Sequence, residues 1–96
     1  MALKLTLEAR EDLKDIWRYI SEDSELAADR FINELYLECV RIFKSGHLGR
    51  NRPDISKGVT SCAYRRYILY FEKRQNDVFV LRVLHGSRDH SRVFRS

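Results

Sequence analysis

The segment from Tyr64 to Phe94 constrains the fold more than any other part of the chain. It holds two runs rich in β-branched and aromatic residues, residues 66–73 and 78–85, on either side of Arg74-Gln75-Asn76-Asp77. Such runs around a short polar tetrapeptide predict a β-hairpin. Only Arg82 is polar in the second run. Strict alternation sends Phe79, Leu81 and Val83 to one face and Val78, Val80, Arg82 and Leu84 to the other. A strand apolar on both faces belongs inside a sheet that is covered on both sides. The run stops at Gly86 and releases a tail carrying Arg88, His90, Arg92 and Arg95. The hairpin is therefore predicted to deliver a cluster of cations to its open end, a surface suited to an anionic or acidic partner.

Upstream the periodicity changes. Leu3, Leu5 and Leu7 alternate with Lys4 and Thr6, which predicts a short strand. Leu13, Ile16, Trp17 and Ile20 recur at helical spacing, with Glu11, Asp12, Asp15 and Arg18 on the other side, so a first helix is predicted over about residues 8–22 with Thr6 as its cap. Asp23 or Ser24 caps a second helix, whose buried stripe is Ala28, Phe31, Ile32, Leu35, Cys39, Ile42 and Phe43. Gly46 fits a left-handed C-terminal cap. Residues 47–53 read as loop, residues 54–58 as one helical turn, and residues 59–63 as a strand. The fold class that follows is α+β, an N-terminal strand and a helical hairpin packed on a small antiparallel sheet, in the order β-α-α-β-β-β. The helix pair covers one sheet face. Nothing left in the sequence obviously covers the other, which points to a protein partner as the missing cover.

Ninety-six residues make one domain, residues 1–96. No apolar run reaches the ~18 residues of a membrane span, and the N-terminus lacks the apolar block of a secretory signal, so a cytoplasmic protein without a membrane partner is expected. Cys39 and Cys62 stand outside any Cys-x-x-Cys pair and read as reduced core thiols. Charge is divided unevenly. Residues 1–48 hold seven Lys/Arg against ten Asp/Glu, a balance of −3, while residues 49–96 hold eleven against four, a balance of +7.

The usual catalytic patterns are missing from the sequence. The four glycines are dispersed, so no phosphate-cradling loop is formed, and no His/Cys cluster points to zinc or to any other metal or cofactor. Ser87, Asp89 and His90 supply the residue types of a hydrolase triad, but neighbours along a chain rarely converge as a triad must. The acidic residues Asp54, Glu72, Asp77 and Asp89 are too scattered for carboxylate-pair hydrolysis. Cleaving RNA without metal needs a base, an acid and cations around the phosphate. His85, His90, Tyr64, Tyr67 and Tyr70 are candidates for the first two roles, and Arg65, Arg66, Arg82, Arg88 and Arg92 for the third. Each has an alternative as a packing or ion-paired residue.

Taken in order, several segments resemble one known family. Thr6-Leu7-Glu8-Ala9 and Asp12-Leu13-x-x-Ile16-Trp17-x-Tyr19-Ile20 at the front, Ala27-Ala28-x-x-Phe31-Ile32 in the second helix, Leu48-Gly49-Arg50-x-Arg52-Pro53-Asp54-Ile55 in the connection, Arg66-Tyr67-Ile68-Leu69-Tyr70, and Val80-Leu81-Arg82-Val83-Leu84-His85-Gly86-x-Arg88-Asp89 are similar to the RelE/ParE superfamily of toxins from type II toxin–antitoxin systems, and most to its ParE-like branch. The resemblance implies a helical hairpin on a small antiparallel sheet. It also implies a cognate antitoxin with a DNA-binding N-terminal part and an acidic C-terminal segment, so that DNA is met only through the antitoxin. ParE-like members are associated with inhibiting DNA gyrase by binding, and RelE-like members cleave messenger RNA on the ribosome. Phe94 falls where RelE-like enzymes carry a tail tyrosine, and Tyr67 where they carry a basic strand residue. The resemblance therefore favours a gyrase inhibitor with no catalytic residues over a ribosome-dependent, metal-independent endoribonuclease. A non-toxic antitoxin-binding module is the third reading. The residues expected to contact target or antitoxin are Arg82, His85, Arg88, Asp89 and Arg92.

Overall fold

The computed structural model describes residues 1–95. Its elements are β1 (Leu3–Leu5), α1 (Leu7–Ser21), α2 (Glu25–Ser45), β2 (Arg50–Asn51), β3 (Val59–Tyr64), β4 (Tyr67–Arg74), β5 (Asp77–His85) and α3 (His90–Arg95). Both long helices start on a hydroxyl cap. Thr6 Oγ1 accepts the Ala9 amide at 3.0 Å, and Ser24 Oγ accepts the Ala27 amide at 3.1 Å. Gly46 closes α2 with φ at 74°, a conformation that glycine reaches without Cβ strain.

The strands form one sheet in the order β1-β5-β4-β3-β2. The fold class is the expected α+β arrangement, with three additions. β1 joins the edge parallel to β5, Leu3 opposite Val78, because the chain returns to it only after crossing both helices and the other strands. Arg50 and Asn51, expected as loop, pair with Ser61 and Thr60 as a short edge strand. The tail after Gly86 coils into α3.

The helices cover one sheet face. Ala9, Ile16, Leu35, Cys39 and Ile42 pack there against Leu69, Phe71, Val78, Val80 and Val83. The other face was expected to await a partner. The chain closes part of it itself, because Val93 and Phe94 of α3 and Ile55 pack against Val59, Tyr70, Leu81 and Leu84.

Strict alternation along β5 also fails. Phe71 pairs with Val80 but Tyr70 pairs with Arg82, so Leu81 is an extra residue in a β-bulge. The bulge swaps the faces downstream, which puts Val83 with Val78 and Val80 under the helices and Leu84 with Leu81 outside.

Candidate functional site

The bulge lies where β5 loses its edge partner. β1 ends at Leu5, opposite Val80, and the start of α1 takes over its hydrogen bonds. The Thr6 amide donates to the Val80 carbonyl at 3.1 Å and its hydroxyl to the Leu81 carbonyl at 2.8 Å. Asp12 then accepts the Val83 amide at 2.9 Å, and its two oxygens take Nε and Nη2 of Arg82 at 2.8 Å each. Asp12 was expected on the exposed side of α1. It is only 7% exposed, because β5 needs an acceptor at that point. The bond to Asp12 holds the Arg82 guanidinium above its ordinary pKa.

Past Gly86 the chain turns sharply, with the Gly86 amide on the Arg66 carbonyl at 2.8 Å and the Arg88 amide on the His85 carbonyl at 3.1 Å. Asp89 then caps α3 by accepting the Arg92 amide at 3.2 Å. The outcome is an open cavity of about 410 Å³ lined by Arg82, Arg88, Asp89, Arg92 and Val93. Four of the five expected contact residues therefore meet in one place. A groove of about 490 Å³ continues from it across the outer face, sharing Arg82 and Val93.

His85, the fifth, points elsewhere. It lines a smaller cleft of about 170 Å³ with Asp12, Asp15, Ile16, Tyr19, Tyr67, Val83 and Arg88. Its ring meets Tyr67 edge-on at 5.3 Å, and its Nδ1 accepts the Ser87 amide at 3.1 Å. Arg88 is the one residue common to the cavity and the cleft. Among the described residues its side chain forms no hydrogen bond or ion pair. The site is thus less cationic than its arginines suggest. Arg82 is spent on Asp12, Asp89 adds a negative charge to the same lining, and Arg88 is the lining arginine left without an ion pair among the described residues.

The groups considered for RNA cleavage do not converge. Tyr64 donates to Glu34 at 3.1 Å, and Arg65 pairs with the same carboxylate at 3.3 Å. Tyr67 sits between Phe31 and His85, and burial pushes its phenol upward. Tyr70 is wholly buried and bonds His90 Nδ1 at 2.6 Å, while Phe94 packs edge-on to Tyr70 at 4.8 Å. Ser87, Asp89 and His90 bond His85, Arg92 and Tyr70 respectively, so they form no triad. Among the described residues no group of three or more His, Cys, Asp or Glu is placed to hold a metal. No helix of the described residues is long and apolar enough to cross a membrane.

Sequence reasoning missed Asp12. The signal was present, since Ala9, Asp12 and Ile16 follow the spacing of a buried helical stripe.

The family model described as ParE toxin of type II toxin–antitoxin system, parDE, matches residues 3–90. The chain belongs to the ParE toxin family. Among solved structures it is similar to a chain described as the chromosomal ParDE TA system from P. aeruginosa, with a TM-score of 0.73 and 20% identity, over 88% of this chain and 95% of that one. At that identity the likeness concerns the fold. No curated protein matches the sequence. The bulged β5, its Asp12 clamp and the cavity beyond Gly86 are thus features of a ParE-family chain.

Proposed function

We propose that this ParE-family toxin acts by binding DNA gyrase rather than by catalysis, and that a cognate antitoxin with an acidic C-terminal segment neutralises it on the same surface. The observation that carries this reading is the guanidinium of Arg88, which has no hydrogen bond or ion pair among the described residues and is set between the cavity and the cleft. Its planar fork suits a carboxylate on either partner, and charge-assisted bonds of that kind contribute about 1.5–3 kcal/mol. The surroundings do not favour cleavage. Tyr70 is buried, both nitrogens of His90 are engaged, and Phe94 has no proton to give. Each missing acid or base group lowers a rate by roughly 10²–10⁴.

A gyrase supercoiling assay tests the reading. Purified toxin inhibits supercoiling, and Arg88→Ala raises the concentration needed by roughly tenfold or more. Undiminished supercoiling under a large excess of folded protein overturns gyrase as the target. Transcripts cut in a translating extract, with cutting lost in His85→Ala, would move the assignment to the ribonuclease.

A further inference from the structure

One polar chain crosses the outer core, and the chemistry of its ends fixes its direction. Arg52 Nη1 lies 3.3 Å from Tyr70 Oη, and a guanidinium only donates. At the other end His90 Nε2 lies 2.8 Å from the His85 carbonyl oxygen, which only accepts, so Nε2 carries a hydrogen. In the neutral ring Nδ1 is then an acceptor, and Tyr70 donates its hydroxyl hydrogen to it across 2.6 Å. Every member is satisfied in this one arrangement.

Protonating His90 breaks it. Nδ1 becomes a donor, so the Tyr70 oxygen faces donors from both Arg52 and His90. Its own hydrogen then has no acceptor, in a side chain with 0% exposure. The charged groups around the ring do not repair this. β4 presents Tyr70. Arg52, beyond it, is already forked onto Asp54. β5 offers the His85 carbonyl while its ring turns to Ser87. On the turn of His90 itself stand Arg92 and an exposed Asp89 that caps the Arg92 amide.

What depends on this chain is α3. Six residues are too few for a helix to persist alone. His90, Val93 and Phe94 are what dock it on the sheet.

We propose that His90 is a protonation latch: neutral, it clamps α3 over the outer sheet face, and protonated, it releases α3. Release uncovers Tyr70, Leu81 and Leu84 and carries Arg92 away from Arg88. The consequence for partner binding rests on the rim reading above, whereas the latch belongs to the isolated protein and is tested there.

Imidazole ¹⁵N shifts of the free toxin report the tautomer. At a pH where they report a neutral ring, they show His90 as the Nε2–H form. The pH is then lowered until the same shifts report the imidazolium. Amide hydrogen exchange of α3, corrected for the intrinsic rate, loses roughly 5- to 150-fold of its protection, the cost of one orphaned buried donor, while β4 and β5 amides keep theirs. His90→Gln offers an acceptor and a donor that do not titrate, so its α3 protection does not change with pH. Tyr70→Phe has no hydroxyl to orphan, and its response also vanishes. An Nδ1–H tautomer, unchanged α3 protection once His90 is charged, or the wild-type response persisting in His90→Gln overturns the latch. None of these outcomes depends on gyrase or an antitoxin.

Discussion

Cys39 on α2 and Cys62 on β3 are both free, and the fold shields them to different degrees. Burial, with Glu38 nearby, pushes the Cys39 thiol from 9.0 up to about 12, and burial raises Cys62 as well. The sign of the consequence is fixed. The folded state favours the neutral thiol, so its contribution is complete below pH 9.0 and is lost as pH rises toward about 12. Wild-type stability between pH 9 and 10.5 therefore falls by roughly 1–2 kcal/mol more than that of Cys39→Ala, as urea denaturation at each pH measures. Native Cys39 also resists iodoacetamide at pH 8, since the thiolate is the nucleophile. Rapid alkylation of Cys39 without unfolding would contradict the burial argument. The two thiols were legible from spacing alone. Asp12 was legible only as a position on the stripe of Ala9 and Ile16; its role was not, because a lone carboxylate on a charged helix reads as surface until a strand edge needs its oxygens.

At the scale of elements, Asp12 does the work of two absent hydrogen-bond partners. It pairs with the bulge arginine and fills the edge position that β1 is too short to reach. Asp12→Ala leaves a half-buried guanidinium and the Val83 amide without their acceptor. The expected cost is about 2–4 kcal/mol, discounted for the 21% exposure of the Arg82 side chain. Replacing both partners tests the mechanism. Asp12→Leu with Arg82→Met removes the uncompensated charge and recovers most of the loss. Urea midpoints of the single and double variants decide it, and a single variant within 0.5 kcal/mol of wild type would mean the clamp is ornamental to stability. Helices, caps and the hairpin were readable because each is set by local spacing. The bulge was not, because it arises from competition between β4 pairing and the α1 start for the same stretch of β5. Nor was α3, since its six residues owe their helix to docking on Tyr70 and Leu81 rather than to their own propensity.

At the scale of the molecule, the +7 of residues 49–96 is not one patch. The hairpins have two ends. Tyr67 opposite His85 marks the end with Arg65, Arg66 and Arg88, and Arg74 opposite Asp77 marks the end with Lys57 and Lys73. Salt bridges to Asp54, Glu34, Glu72 and Asp12 occupy Arg52, Arg65, Arg74 and Arg82. Among the described residues the first end keeps Arg66 and Arg88 outside these pairs, and the second keeps Lys57 and Lys73. Steering by net charge and steering by position thus give different results. Arg66→Gln with Arg88→Gln, and Lys57→Gln with Lys73→Gln, each lower the formal charge from +4 to +2. If the Arg88 end is where an acidic chain lands, the first pair slows association with a poly-glutamate peptide by several-fold to about tenfold at low salt and flattens its salt dependence. The second pair stays within about twofold, because charges at the far end lie beyond the screening length of ~10 Å from the landing site. Equal losses from both pairs, measured by stopped flow across an ionic-strength series, would mean that the peptide responds only to the total charge and that the cavity beyond Gly86 confers no direction on binding.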